Sequence, residues 1–231
     1  MNRPLLLRIT PSALRTAVFY RLYRLRREQW QELYAAAPLQ FAPAVTMRLF
    51  PTDEAHSEIA FTGFYELALS RKIAALAAES RGGLMVDVGA NYGYYALLWA
   101  AASREHRVIA FEGSPRNHDP LRENVARNGL ESQIDVRAIA VGREAGTLGF
   151  SIGGTQQTGW GSFSLAGAEQ TTEVPVVTLD SAVPAKTVVE LLKIDVEGAD
   201  TWVLEGARAL LQTKRVRHIF FEQNKERMAS L

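Results

Sequence analysis

Leu84-Met85-Val86-Asp87-Val88-Gly89-Ala90-Asn91-Tyr92-Gly93-Tyr94-Tyr95 is the part of the chain from which its architecture follows. Leu84 to Val88 is a short apolar run holding one acid, the pattern of a strand in a parallel sheet covered on both faces. Gly89 and Gly93 bracket a turn where the backbone folds tightly and a ligand can come close. Beyond Gly93, Tyr95, Leu97, Leu98, Ala101 and Ala102 suit a helix. The start of that helix leaves unpaired N–H groups facing the turn, a seat for a carboxylate or phosphate.

The dinucleotide fingerprint requires G-x-G-x-x-G and an acid about 20 residues further on. Here the glycines run G-x-N-x-G, and Asn91 occupies the place where a pyrophosphate needs closest approach. Asp87 at the strand end would face a diphosphate badly. It suits a ligand with positive charge, such as the amino and sulfonium groups of S-adenosylmethionine. The next strand-like run, Arg107 to Phe111, ends in Glu112, whose carboxylate can accept from both ribose hydroxyls. The bland alternative is that Asp87 and Glu112 are merely acids at strand ends.

Taken in order, VDVGANYGYY, FEGSP, VPVVTLD and LLKIDVEGAD resemble the FkbM family of S-adenosylmethionine-dependent methyltransferases, over roughly Phe61 to Glu222. The resemblance implies that Tyr65 and Glu66 lie near the ligand. Read from the residues alone, Glu66 is an acid in a first helical turn, where the helix dipole favours it. The resemblance also implies a hydroxyl of a sugar, a polyketide-type product or another small molecule as methyl acceptor.

The remaining elements alternate as strand and helix, which gives an α/β, Rossmann-like, doubly wound and mostly parallel sheet. After Glu112 a helix runs from Ser114-Pro115 to Asn128-Gly129, and Ile134 to Val141 forms a third strand. Ala140, at the end of that strand, is expected beside the adenine, since ligands sit outside the carboxyl ends of such strands. Thr147 to Ile152 and Glu173 to Leu179 then form an inserted antiparallel hairpin, with Trp160 and Phe163 in the Gly-rich loop between them, as closing or anchoring residues. Val188 to Ile194 and Val216 to Phe221 are the fourth and fifth strands. Methyltransferases of this fold carry a further strand pair, and no strand-sized run follows Phe221; the hairpin, a longer chain or a partner would have to complete the edge.

At 231 residues with 47% hydrophobic and 22% charged residues, the chain suits one substantial soluble domain with an added segment. We divide it into a basic helical arm and linker, residues 1–60, and a Rossmann-like domain, residues 61–231. With no cysteine there are no disulfides or thiolate metal sites, and a cytoplasmic location is the simplest expectation. A net charge of +1 argues against a nucleic-acid partner. The total hides an asymmetry: residues 1–27 hold seven arginines and no acid, leaving 19 bases and 25 acids elsewhere.

In the arm, Thr10-Pro11 reads as a helix start, with Leu14, Val18, Leu22 and Leu25 on one face. That stripe is expected to pack on its own domain or on a second copy in a homodimer. The competing reading is a peripheral membrane contact. The first segment is not expected to be a signal peptide or membrane span, because Leu5-Leu6-Leu7 is too short and arginines interrupt every longer apolar window. His56 falls in a linker, and neither an HxH motif nor a carboxylate cluster stands out, so no metal is expected.

Methyl transfer to a hydroxyl calls for a base. The candidates are Asp195, Glu197, Lys193, Glu222 and His118, with Asp195, at the end of the fourth strand, first. Asp195 can equally be a helix cap or a cofactor ligand, and Lys193 is expected to pair with a neighbouring strand-end acid. The sequence therefore leaves two readings: a methyltransferase acting on a hydroxyl, or a non-catalytic nucleotide- or S-adenosylmethionine-binding module. Asp195 is the expected catalytic residue. Asp87, Gly89, Ala90, Asn91, Gly93, Glu112, Ala140 and Glu66 are the expected cofactor contacts.

Overall fold

The computed structural model describes residues 3–151, 162–163 and 171–223. Its centre is a sheet of five parallel strands: β1 (Leu84–Val88), β2 (Arg107–Phe111), β3 (Ile134–Arg137), β4 (Val189–Ile194) and β5 (Val216–Phe221). Their spatial order is β5-β4-β1-β2-β3. Chain order therefore reverses between β1 and β4, and the crevice outside the strand ends at such a reversal is where ligands bind in open α/β sheets.

Alternation along the strands sends side chains to two apolar layers. Met85, Val108, Ala110 and Leu191 face one layer, together with the helices α4 (Leu67–Glu79) and α5 (Tyr94–Ala102). Val86, Val88, Ile109, Leu192 and Ile194 face the other, under α7 (Asp200–Glu205) and α8 (Arg208–Gln212). Pro115–Arg127 forms α6, with Pro115 in the first turn, where its missing N–H costs nothing.

The third strand is shorter than the apolar run suggested. It breaks after Arg137, and Ala140–Val141 leaves the central sheet to pair in parallel with Thr171–Val177. Thr171–Val177 pairs antiparallel with Gly146–Ser151, as expected of the inserted hairpin. These strands and Ser162–Phe163 form a separate four-stranded sheet, so among the described residues β5 remains an edge of the central one. Trp160 and the side chain of Phe163 lie outside the described residues.

The amino-terminal segment departs from a single helix. Leu5–Ile9 forms α1 and Ser12–Leu22 forms α2, with Pro11 at the N-cap of α2, and a 3-10 turn follows over Arg24–Gln29. Thr10 does not cap α2; it ends α1, where its hydroxyl donates to the Leu6 carbonyl at 2.6 Å. Most of the stripe expected to dock points outward: Leu14, Leu22 and Leu25 are 56%, 52% and 95% exposed, while Val18 is partly buried against the core. The docked face is Phe19, which is fully buried.

Phe61 explains why Phe19 wins. Its ring lies 5.0, 5.7, 5.9 and 6.1 Å from the rings of Phe19, Tyr23, Trp30 and Tyr34. Phe61 itself sits on α3 (Glu54–Thr62), a helix that crosses the boundary drawn between residues 60 and 61. Leu7, Phe19 and Leu33 belong to the same apolar layer as Met85 and Ala96. Two asparagines one helical turn apart fasten the segment further. Asn124 accepts from the Arg48 N–H at 2.7 Å and Asn128 from the Thr46 N–H at 3.0 Å. Among the described residues, no helix is long and apolar enough to cross a membrane.

Truncating this aromatic hub should loosen arm and sheet together. Phe61→Ala is expected to cost about 3–5 kcal/mol in urea unfolding, in a single transition. Two separated transitions would show that residues 1–60 fold as an independent unit.

Candidate functional site

A cleft of about 960 Å³ opens over the carboxyl ends of β1, β2 and β4. Gly89, Ala90, Asn91 and Tyr92 of the turn line it, whereas Gly93, expected as a cofactor contact, does not. Gly89 has φ +77°, and a Cβ there would lie 1.9 Å from the Asp195 carbonyl oxygen, so only glycine lets β1 and β4 run out side by side. Gly93 has φ +89°, and a Cβ there would meet Leu121 at 2.7 Å, which ties the turn to α6. Gly89 and Ala90 both donate their N–H groups to the Phe111 carbonyl, at 3.0 and 2.9 Å.

Glu112 follows β2 and is 6% exposed. One carboxylate oxygen accepts from the Asn91 N–H at 2.7 Å and the other from the Ser114 N–H at 2.8 Å. Burial pushes its pKa above the usual range, opposed by those two N–H donors. Its own carbonyl accepts from His118 Nε2 at 2.8 Å, so His118 braces the loop. A carboxylate has about four acceptor positions, which leaves room for a ligand hydroxyl beside the protein donors.

Asp87 lies deeper than the sequence suggested. It is fully buried and does not line the cleft. In the register of β1 with β4 it stands opposite Lys193, whose Nζ lies 3.4 Å from Asp87 Oδ1 and 3.4 Å from Asp195 Oδ2. The same ammonium donates to the Gly89 carbonyl at 3.2 Å and lies 5.3 Å from the centre of the Tyr95 ring. Burial alone would pull the lysine pKa down, but the two carboxylates outweigh it and raise it. For Asp87, burial pushes the pKa up and Lys193 opposes. The expected pairing of Lys193 with a strand-end acid is thus present, and doubled.

Asp195 lines the cleft with its side chain 33% exposed. It is not the cap of the following helix, since α7 begins at Asp200 with Ala199 in the cap position. Glu197 and Glu222 line the same cleft, as do Ala90, Asn91 and Ala140. Glu66 lines it too, but not from a first helical turn. It precedes α4 with φ +45°, and its carboxylate accepts from the Tyr95 hydroxyl at 3.0 Å. Of five non-glycine residues with positive φ among the described residues, three (Glu66, Asn91 and Glu197) line the cleft, which concentrates unfavourable backbone where a ligand would sit.

Sequence reasoning missed the wall contributed by α3. His56 is not in a linker; it sits in the first turn of this helix, where Asp53 caps by accepting from the His56 N–H at 2.9 Å. The His56 ring packs on Tyr92 with centroids 4.2 Å apart, and its Nδ1 accepts from the Phe50 N–H at 3.4 Å. Burial lowers its pKa, while Asp53 opposes. The legible signal was Asp53 three residues before His56, an N-cap followed by a turn. Among the described residues no three His, Asp or Glu side chains are grouped to hold a metal ion.

A family model described as the methyltransferase FkbM domain matches residues 87–229. No curated protein matches. Among solved structures, the chain is similar to the C-terminal domain of precorrin-6Y C5,15-methyltransferase from Rhodobacter capsulatus, at 15% identity and TM-score 0.37. That match covers 64% of this chain and 57% of the other. It is similar to the N-terminal domain of human METTL16 in complex with SAH at 15% identity and TM-score 0.41, covering 71% and 57%. P. horikoshii TYW2 in complex with MeSAdo matches at 25% identity and TM-score 0.28, over 30% of this chain and 26% of the other. The chain thus spans less than two thirds of the length of each.

His56 yields a pH dependence. Its folded-state pKa lies below the ordinary histidine value of 6.5, so the unfolded chain takes up a proton that the folded chain refuses. The stability this contributes is present above about pH 6.5 and is lost as pH falls toward the folded value. Between pH 7 and 5 the urea midpoint of the wild type should fall more steeply than that of His56→Gln. The extra slope should approach about 1.4 kcal/mol per pH unit. Parallel profiles would remove His56 as the source.

Proposed function

The chain belongs to the FkbM methyltransferase family, and we propose that it transfers a methyl group from S-adenosylmethionine to a hydroxyl of a small molecule or sugar. One observation carries this reading. Glu112 from the end of β2 and Asp195 from the end of β4 converge on one cleft, each fixed by a buried partner, the Asn91 N–H and the Lys193 ammonium.

The residues fit the donor. Glu112 presents a buried carboxylate with acceptor capacity left for ribose hydroxyls, and the Gly89–Gly93 turn offers close backbone approach for the methionine end. Ala140, buried at the cleft edge, suits an adenine face. Asp87 serves at one remove, by holding the ammonium of Lys193 in place. When bound, S-adenosylmethionine supplies a methyl group already activated on a sulfonium.

The protein's remaining work is to hold the acceptor in line and take its proton. Asp195, partly exposed and tethered on one oxygen, keeps its other oxygen for the acceptor hydroxyl. The cleft is also lined by Tyr20, Glu54, Glu58 and Tyr65. Aromatic faces with carboxylate acceptors suit a polyhydroxylated acceptor, whose C–H faces stack while its hydroxyls donate.

Two substitutions separate the roles. Glu112→Ala should weaken S-adenosylhomocysteine binding by roughly 1.5–3 kcal/mol in calorimetric titration. Glu112→Gln keeps the side chain's size and controls for loss of the turn; wild-type affinity in both would remove Glu112 from the donor site. For Asp195→Asn, turnover should fall about 100-fold or more with donor affinity nearly intact. Weakened donor binding with preserved turnover at saturation would make Asp195 a donor ligand instead.

A further inference from the structure

The outward stripe of the amino-terminal segment has no cover among the described residues. In α1, Leu5 and Ile9 are 68% and 71% exposed and lie one turn apart, on the same side. In α2, Leu14, Ala17 and Arg21 follow at i, i+3 and i+7, and so share the face opposite the buried Phe19. Leu22, 52% exposed, flanks that face, and Leu25, 95% exposed, follows in the 3-10 turn. Among these leucines stand Arg8, Arg21 and Arg26, all exposed and none within ion-pair distance of a carboxylate among the described residues. The other arginines of the segment are engaged. Arg3, Arg15 and Arg27 donate to carbonyls of residues 60, 62 and 51, and Arg24 pairs with Glu54 at 2.7 Å.

We propose that this face, residues 5–26, docks peripherally on an anionic lipid bilayer. The leucines enter the acyl boundary while the three free guanidinium groups take lipid phosphates. Charge complementarity selects this occupant. A symmetric contact with a second copy would set like arginines near one another across the two-fold axis. A bilayer offers both the apolar layer and the anions that this mixed surface needs. The same charge asymmetry fixes orientation. Residues 1–27 carry seven positive charges and no acid, while the remaining 19 bases and 25 acids leave the body negative, so an anionic surface attracts the arm and repels the body.

The test is flotation of the full chain with vesicles of phosphatidylcholine alone or mixed with phosphatidylglycerol, at about 0.1 M salt. The wild type should float with the anionic vesicles and not with the neutral ones. Arg8→Ala/Arg21→Ala/Arg26→Ala should weaken that binding on the order of 100-fold, and high salt should weaken the wild type similarly. Leu14→Ser/Leu22→Ser/Leu25→Ser should abolish it, with the thermal transition unchanged because these side chains are exposed. Absence of the wild type from anionic vesicles, or equal flotation of the arginine variant, would overturn the proposal. So would a dimer in sedimentation velocity that the leucine variant dissociates while vesicle binding stays at wild-type strength. That result would assign the face to a second copy.

Discussion

One buried ammonium holds the carboxyl ends of the two innermost strands in register. Lys193 reaches Asp87 across the β1–β4 pairing, Asp195 two residues along its own strand, and the Gly89 carbonyl at the start of the turn. A lone ammonium at this depth would be prohibitively costly, and so would a lone Asp87 carboxylate. Together they are tolerated, and each makes the other obligatory. The ring of Tyr95 closes the remaining side. What results is a rigid base from which Asp195 projects into the cleft with one oxygen already committed.

The turn beside this base depends on it sterically. Gly89 passes against the Asp195 carbonyl so closely that no Cβ fits, and only then can the Asn91 N–H reach Glu112. Asn91 adopts φ +51°, a conformation that asparagine enters more readily than most side chains. The three carboxylates seen in the sequence are therefore not equivalent. Asp87 balances a buried charge, Glu112 braces a loop and faces the cleft, and Asp195 is tethered yet accessible. Their separation into roles follows from depth and partners, since all three stand at or just past strand ends.

Much of this was legible. Apolar runs of strand length, each ending in an acid or a glycine, marked the parallel strands, and β5 matches its sequence run residue for residue. The pairing of Lys193 was legible because a charge inside an apolar strand must find a partner. The depth of Asp87 was not, because it depends on the register between strands about a hundred residues apart in sequence. The third strand misled because Ile134 to Val141 is apolar enough to be continuous. What divides it is the pairing of Ala140–Val141 with Thr171–Val177, a long-range contact. The outward face of α2 misled for a related reason. Leucine and phenylalanine compete for burial, and the aromatic cluster around Phe61 decides for Phe19.

That aromatic cluster also decides how the cleft is divided. One group of lining residues comes from the strand ends, placed by the parallel sheet and the turns that follow it. Another part of the lining comes from α3 and α2, through Glu54, His56, Glu58 and Tyr20. These helices hold their position because Phe19 and Phe61 pack ring against ring, and because Thr16 donates to Glu58 at 2.9 Å. Burial raises the Glu58 pKa, with the Thr16 hydroxyl opposing, so the wall carries a carboxyl group whose charge its neighbours tune. The two groups of lining residues thus rest on different main supports: strand register for one, aromatic packing for the other. The α3 side of the cleft is also tied to the glycine turn, because His56 packs on Tyr92 with ring centroids 4.2 Å apart. A segment that sequence alone assigns to an arm is, in three dimensions, where selectivity for the acceptor resides if the cleft is used as proposed.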